Sequence, residues 1–277
     1  MRGSPGAAGA AGGDGGAPGK GAAELLPPLV KFCGLRGSTD ALRAEALGAD
    51  LAGFIFHPGS PRAVAPSEAA RVDSGRLVRV GVFVGQGASE ILETMEEARL
   101  DLAQFHGGQT LSDALAVGPE RVVRVFWPER HPAAGSLADE LSAWRDAVAM
   151  FLFDAGLSGG GHGRPLGAGG GGASAATGLR FLDLAGRPSL LAGGLGPGTL
   201  GRLPDPGSFR HLAGFDMNSG VESSPGVKDH ALMAEAASAA GALRVRGRGR
   251  FTREGLAAVR NSGKGPGRDA RGGRDAM

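Results

Sequence analysis

The chain has 277 residues, of which 42% are hydrophobic and 21% are charged, a profile typical of a soluble globular protein with one sizeable core. Its 52 glycines follow no three-residue period, which excludes a collagen-like fibre. The single cysteine, Cys33, excludes an intramolecular disulfide and a metal site made of several cysteines.

The predicted elements begin after an N-terminal extension. Residues 1–24 are mostly Gly, Ala and Pro and have too few large apolar side chains to offset the entropy of ordering, so we expect them to be disordered. From residue 25 to 244, short apolar runs alternate with segments of helical period. The predicted strands are Leu29–Leu35, Leu51–Phe56, Val78–Val84, Asp101–Phe105, Arg121–Phe126, Ala149–Asp154, Ser189–Ala192 and Leu212–Asp216. The predicted helices are Thr39–Leu47, Ser67–Val72, Ser89–Arg99, Leu111–Val117, Leu137–Ala147, Leu179–Leu184, Thr199–Leu203 and Lys228–Ala240.

This alternation predicts an α/β fold. Continuous apolar strands such as Phe151-Leu152-Phe153 suit a parallel sheet that is covered on both faces. Eight β/α units in roughly 220 residues match a single-domain (β/α)8 TIM barrel, and an open doubly wound sheet is the alternative. In a barrel, functional residues belong at the carboxyl ends of the strands and in the loops that follow them.

A basic tail follows residue 244. Residues 245–277 carry nine basic and three acidic side chains, a net charge of +6, whereas the whole chain carries only +2. The tail is therefore expected to be a disordered appendage, and the rest of the chain carries about −4. A degenerate barrel whose Arg/Gly-rich tail binds nucleic acid is a less favoured interpretation, because only Phe251 is available there for stacking.

No apolar run approaches the roughly 18–20 residues that cross a bilayer, and the N-terminus lacks the pattern of a signal peptide. We therefore expect a cytoplasmic protein without a membrane partner.

Two strand ends carry groups that could transfer protons. Cys33 lies in the first predicted strand, and Asp154 ends the sixth. A lone buried cysteine is more often a small core residue, and an aspartate after a strand often caps a turn. Together, however, a thiol and a carboxyl at one barrel mouth supply a proton acceptor and a proton donor, the minimum for an isomerase.

Other polar groups on this rim suggest a phosphorylated substrate. Gly193 and Gly194 follow the seventh strand, and Asn218 and Ser219 follow the eighth, where barrels commonly hold a phosphate with backbone N–H groups. Arg62 follows a proline in the second loop and could grip a carboxylate through paired hydrogen bonds. No histidine spacing suggests metal ligands, so no metal is expected.

At this point the residues resemble the phosphoribosylanthranilate isomerase family from Val30 to about Ala240. The matching segments include Lys31-Phe32-Cys33-Gly34-Leu35, Ser60-Pro61-Arg62, Val80-Gly81-Val82-Phe83, Gln104-Phe105-His106-Gly107, Asp154, Leu191-Ala192-Gly193-Gly194-Leu195, Asp216-Met217-Asn218-Ser219-Gly220-Val221-Glu222 and Pro225-Gly226-Val227-Lys228-Asp229.

The resemblance implies an Amadori rearrangement of N-(5-phosphoribosyl)anthranilate in tryptophan biosynthesis, without a cofactor. Cys33 would be the general base and Asp154 the general acid, and Arg62 would hold the anthranilate carboxylate. Asp216 would face the sugar, and the loops with Gly193, Gly194, Asn218 and Ser219 would hold the phosphate; we add His106 to the expected substrate-binding residues. Lys31, two residues before Cys33 and so on the same strand face, is the expected source of positive charge favouring a thiolate.

One segment departs from the family pattern. The loop after the sixth strand is a glycine-rich insertion over residues 156–178, and the expected aromatic–aspartate segment is missing or displaced to Phe181-Leu182-Asp183. A different phosphoribosyl-handling isomerase or synthase, from the same barrel class but with another reaction, is the second hypothesis. The protein is expected to act as a monomer or a homodimer.

Overall fold

The computed structural model describes residues 24–131, 134–154, 179, 181–247 and 255. Within them, eight parallel strands close into a barrel in the order of the chain. The strands are β1 (Leu29–Phe32), β2 (Leu51–Ile55), β3 (Val78–Phe83), β4 (Leu102–Phe105), β5 (Val122–Phe126), β6 (Met150–Asp154), β7 (Ser189–Ala192) and β8 (Leu212–Met217). The first and last strands pair in parallel, with Lys31 opposite Asp216, which closes the sheet and excludes the open alternative.

Helices connect the strands and surround the barrel. They are α1 (Ser38–Ala46), α2 (Pro66–Arg71), α3 (Ala88–Glu97), α4 (Leu111–Val117), α5 (Ala134–Trp144), α6 (Pro197–Leu200) and α7 (His230–Gly241). Residues 179 and 181–184, between β6 and β7, are also helical. A short hairpin of β9 (Glu222–Ser224) and β10 (Val227–Lys228) lies between β8 and α7. The predicted (β/α)8 TIM barrel is confirmed.

The apolar strands are buried on both faces. Side chains such as Phe32, Phe54 and Phe151 pack outward against the helices in one large cluster. Alternate residues such as Leu29 and Leu152 point inward and fill the barrel in a second cluster. Because both faces are buried, the strands are mostly apolar, and their few polar side chains, such as Lys31 and Arg79, are held by hydrogen bonds.

Several predicted boundaries differ from the structure by one to three residues, and three of these differences have a clear local cause. The first strand ends at Phe32 instead of Leu35, because Gly34 adopts a left-handed conformation with φ of +73°. The seventh predicted helix, expected to begin at Thr199, corresponds to α6 and begins at Pro197, a residue suited to the first helical turn. The last helix begins at His230 instead of Lys228, because the Asp229 side chain accepts hydrogen bonds from the first turn and caps it.

The predictions for the N-terminal extension, the glycine-rich insertion and most of the basic tail lie outside the described residues. Val245 and Gly247, which we had assigned to the tail, instead lie at the amino end of the barrel, where Val245 exchanges two hydrogen bonds with Leu26. Among the described residues, no helix is both long enough and apolar enough to cross a membrane.

Candidate active site

Cys33 and Asp154 lie at the same end of the barrel. Cys33 directly follows β1, and its backbone N–H donates to the carbonyl oxygen of Met217 in β8 at 2.8 Å. Asp154 is the last residue of β6, and both side chains are buried. The rim that the sequence predicts therefore exists, with the thiol and the carboxyl on strands from opposite sides of the barrel.

The Cys33 thiol occupies space that a glycine provides. A β-carbon on Gly53 of β2 would lie 2.7 Å from the Cys33 Sγ, so only glycine leaves room for the sulfur at this position. Ile55 and Val82 complete an apolar cluster around it. Burial by these side chains has the largest effect on the pKa of the thiol.

Burial raises the pKa of Cys33 above its ordinary value. The ammonium groups of Lys31 and Lys228 act in the opposite direction, and the carboxylate of Asp216 adds to the increase. Lys31 does lie where the sequence places it, close to the thiol, but its charge does not outweigh burial. Lys31 thus acts on the thiol in the direction that the sequence predicts, but the effect of burial is larger, and the thiol form prevails at neutral pH.

Lys31 crosses the interior of the barrel and joins three strands. Its ammonium donates to Gln104 of β4 and to Asp216 of β8, each at 3.0 Å. Burial lowers the pKa of Lys31, but the nearby Asp216 and Cys33 more than compensate and raise it overall, so the ammonium is charged. The second carboxylate oxygen of Asp216, Oδ1, is buried and has no hydrogen-bond partner within the described part of the chain. A hydroxyl donor of a bound substrate would satisfy it.

His106 lies beside this network as an uncharged imidazole. Its Nδ1 is 3.3 Å from the Gln104 amide nitrogen, and its ring meets Trp127 edge-on with 5.1 Å between ring centres. Burial, followed by the positive charges of Lys31 and Arg130, lowers the pKa of His106 to about 4. His106 can therefore donate or accept a hydrogen bond at neutral pH, but it cannot act there as a cation.

Arg62 is buried and already holds a carboxylate of the protein. Its Nε and Nη2 donate to the two oxygens of Glu222 at 2.8 and 2.7 Å. Glu222 also accepts from Lys228 at 2.8 Å. Arg62 therefore lies on the predicted rim, but one of its paired-donor edges is occupied, and only the side with Nη1 remains to meet a substrate.

The loops after β7 and β8 pack backbone against backbone. A β-carbon on Gly220 would lie 2.1 Å from the carbonyl oxygen of Leu195, so the two loops approach as closely as only glycine permits. Gly193 and Gly194 both have positive φ, and Ser219 begins a 3-10 turn next to Asn218. The structure thus brings the predicted phosphate-binding residues together at one side of the mouth.

Sequence reasoning missed Glu222, Lys228 and Trp127 as members of this site. The first two stood within the family-like segments, and their spacing of six residues gave no sign of pairing, which arises from the β9–β10 hairpin. Trp127 follows β5 at an inward position, and the alternation of the strand could have placed it in the mouth.

An eight-stranded barrel with a buried thiol and a buried carboxyl at its carboxyl-end rim defines the class of protein: a (β/α)8-barrel enzyme. The family model for N-(5′-phosphoribosyl)anthranilate isomerase matches residues 30–239. The chain belongs to the phosphoribosylanthranilate isomerase family, as the resemblance of its motifs implies.

Individual relatives agree with this assignment. An N-(5′-phosphoribosyl)anthranilate isomerase of Desulfovibrio desulfuricans is 44% identical over 221 residues, which cover 76% of this chain and 95% of the relative. A crystal structure of the enzyme from Thermus thermophilus is 35% identical, with a TM-score of 0.61 over 76% of this chain and 97% of the other. A further isomerase structure, solved with reduced 1-(o-carboxyphenylamino)-1-deoxyribulose 5-phosphate, is 26% identical, with a TM-score of 0.63 over 78% of this chain and all of the other.

Proposed function

We infer that the protein is a phosphoribosylanthranilate isomerase, which rearranges N-(5-phosphoribosyl)anthranilate to 1-(2-carboxyphenylamino)-1-deoxyribulose 5-phosphate in tryptophan biosynthesis. The observation that carries this inference is the position of Cys33 and Asp154. Cys33 follows β1 and Asp154 ends β6, so both lie on one rim of a barrel of this family. Ring opening needs a proton given to the substrate and isomerisation needs one taken from it, so a general acid and a general base suffice.

Asp154 begins the reaction as a protonated acid. It gives its proton to the ribose ring oxygen, the bond from that oxygen to C1′ breaks, and a Schiff base forms. Cys33, as thiolate, then removes the proton from C2′, and the resulting enolamine tautomerises to the ketone. One proton leaves Asp154 and one arrives at Cys33, so transfer back to the carboxyl restores the starting state.

The thiolate must form before the second step. Because burial raises the pKa of Cys33, only a minor fraction is thiolate at neutral pH, and Lys31 and Lys228 are the cations that stabilise it. We therefore expect the rate of proton removal to increase with pH until the thiol is fully ionised.

Binding uses the remaining groups of the rim. The loops with Gly193, Gly194 and Ser219 take the phosphate, and Arg62 takes the anthranilate carboxylate through its Nη1 side. Asp216 accepts a hydrogen bond from a sugar hydroxyl at Oδ1, the carboxylate oxygen for which the described residues supply no partner. Asn218 shapes the phosphate loop, and His106 borders the sugar as a neutral ring. Cytoplasmic location, with the chain acting as a monomer or a homodimer, belongs to the same proposal.

Replacement of the two proton-transfer groups tests the proposal. Cys33→Ser and Asp154→Asn are each expected to lower turnover about 100- to 10,000-fold, the usual contribution of a positioned acid or base. The measurement is the loss of fluorescence when phosphoribosylanthranilate is consumed, with thermal unfolding as the check that each variant folds. Turnover within a few-fold of the original in either variant would remove that residue from its assigned role.

A further inference from the structure

A buried cluster of three charges, formed by Arg62, Glu222 and Lys228, stands beside the proposed substrate site. The side chains of Arg62 and Glu222 are each 3% exposed, and that of Lys228 is 1% exposed. Glu222 accepts three hydrogen bonds, two from Arg62 at 2.8 and 2.7 Å and one from Lys228 at 2.8 Å. Both carboxylate oxygens of Glu222 are thus engaged by Arg62 and Lys228.

The cluster carries unbalanced charge. Burial raises the pKa of Glu222, but the hydrogen bonds from Arg62 and Lys228 outweigh it and lower the pKa overall, so the carboxylate is ionised. Burial lowers the pKa of Lys228, and the contact with Glu222 limits the fall. Two cations against one anion leave a net charge of about +1 in a place with little water, where an uncompensated charge is costly.

This charge lies next to the reacting groups. The Arg62 side chain passes so close to Gly34, the neighbour of Cys33, that a β-carbon there would lie 2.8 Å from the Arg62 Cδ. The Lys228 ammonium lowers the pKa of the Cys33 thiol. An anion that entered the mouth at this point would balance the cluster, and the anthranilate carboxylate of the proposed substrate is such an anion.

Lys228 also connects the cluster to the phosphate loop. Its ammonium donates to the backbone oxygen of Asn218 at 3.1 Å and to the Asn218 side-chain oxygen at 2.9 Å. Glu222 therefore contacts Arg62, the group proposed to face the substrate carboxylate, on one side. On the other side it contacts Lys228, which holds Asn218.

We propose that Glu222 is a positioning residue of the isomerase: it fixes the Arg62 guanidinium by its Nε and Nη2 so that the Nη1 side faces the substrate carboxylate, and it fixes Lys228 against Asn218. This inference rests on the proposed function. Glu222 touches no reacting atom, and its effect on the substrate passes through Arg62 and Lys228. Selectivity for a carboxylated aromatic ring is the property that it controls.

The test compares the binding of two product analogues by titration calorimetry. One is reduced 1-(o-carboxyphenylamino)-1-deoxyribulose 5-phosphate, and the other is its phenylamino counterpart, which lacks only the carboxyl group. The ratio of their dissociation constants measures carboxylate selectivity and does not depend on the fraction of folded protein. We expect the unchanged protein to favour the carboxylated analogue by roughly 10- to 100-fold, the usual worth of a charged hydrogen bond.

Three variants locate the source of this selectivity. Arg62→Ala is expected to bring the ratio close to one. Glu222→Gln is expected to lower it at least about fivefold, because the amide is uncharged and its NH2 group would face the Arg62 Nη2 donor in place of an acceptor. Glu222→Asp keeps the charge but shortens the side chain, so the ratio also falls. Glu97→Gln makes the same chemical change on an exposed face of α3 and leaves the ratio unchanged.

The outcomes separate the proposed role of Glu222 from that of Arg62. A ratio that falls in Arg62→Ala but stays within twofold in both Glu222 variants overturns the role of Glu222 and leaves that of Arg62. A ratio that Arg62→Ala does not change shows that the carboxylate binds elsewhere and overturns both. If Glu222→Gln does not fold, the ratio in Glu222→Asp decides the question in the same way.

Discussion

At the scale of single residues, the position of the Cys33 sulfur depends on a neighbouring glycine that has no side chain. Gly53 lies on the neighbouring strand, and a β-carbon there would lie 2.7 Å from the Cys33 Sγ and 3.0 Å from its Cα. The backbone of a barrel strand cannot retreat far, because both of its neighbours hold it by hydrogen bonds. An added methyl group would therefore displace the sulfur.

Gly53→Ala is expected to lower kcat/KM about 10- to 100-fold, because a displacement of about 1 Å misaligns the base with its proton. Overpacking is also expected to cost about 1–3 kcal/mol of stability. The same assay applied to Gly135→Ala, where no atom of the described residues lies within 4 Å of the new methyl group, provides the control. Equal activity in the two variants would show that the sulfur has room to move.

The charge of Lys31 should be visible in the ionisation of Cys33. Lys31→Met removes a cation that lowers the thiol pKa and leaves Asp216, which raises it, so the ionisation midpoint is expected to move to higher pH. The base is the deprotonated form, so the variant should reach its maximal rate at higher pH than the unchanged protein. The ultraviolet absorbance of the thiolate reports the midpoint, since the chain has one cysteine and no tyrosine. A midpoint that stays or falls contradicts this account of Lys31.

The sequence predicted the residues of the rim better than their partners. Cys33, Asp154 and Asp216 could be placed because each lies at the carboxyl end of an apolar strand, where a polar residue stands out. The pairing of Arg62 with Glu222 joins positions 160 residues apart, through two loops whose approach depends on the closed barrel. The raised pKa of Cys33 was equally hidden, because burial depends on all the surrounding strands.

At the scale of elements, the strands followed from their apolar runs, and three of the boundary errors lie where a single residue begins or ends an element. Gly34 ends β1 early, Pro197 starts α6 early, and Asp229 delays the start of α7. Each of these residues has a local conformational or capping preference that a periodic pattern does not contain. Element type is thus set by the spacing of apolar residues, and element ends by individual side chains.

Arg79 shows how a charged residue can serve packing between elements. It lies on β3 but points outward, and its guanidinium donates to backbone oxygens of Val72 and Ala98 and to the Ser74 hydroxyl. It also stacks 4.5 Å from the centre of the Phe54 ring. The side chain therefore ties the ends of α2 and α3 to the sheet.

Arg79→Met is expected to destabilise the protein by roughly 2–4 kcal/mol, because several buried acceptors lose their donors at once. Urea unfolding followed by circular dichroism measures the change. Arg76→Met is the matched control, since that side chain is 93% exposed and surface ion pairs contribute about 0–1 kcal/mol. A loss for Arg79→Met no larger than that of the control would show that other donors replace the guanidinium.

At the scale of the whole molecule, the barrel closes where the two ends of the folded chain meet. The β1–β8 pairing completes the sheet. In the outer layer, His230 Nε2 at the start of α7 lies 2.8 Å from Asp40 Oδ1 of α1, so the helices also meet at this junction of the first and last units. At the amino end of the strands, Leu26 and Val245 form a bridge, and the Gly247 N–H donates to the Leu212 carbonyl at 2.8 Å. Hydrogen bonds therefore hold the junction of the first and last units at both ends of the strands.

Val245→Ala tests how much the Leu26–Val245 bridge at the amino end contributes to stability. Val245 is fully buried, so loss of two methyl groups is expected to lower stability by about 1–3 kcal/mol, or a few degrees in Tm. Turnover at moderate temperature should stay nearly unchanged, because the reacting groups lie at the other end of the strands. Val227→Ala, at a position that is 52% exposed, serves as the comparison and should change neither quantity much. A large loss of turnover without a loss of Tm would mean that the closure at the amino end also controls the geometry of the rim, and that the two ends of the barrel do not act independently.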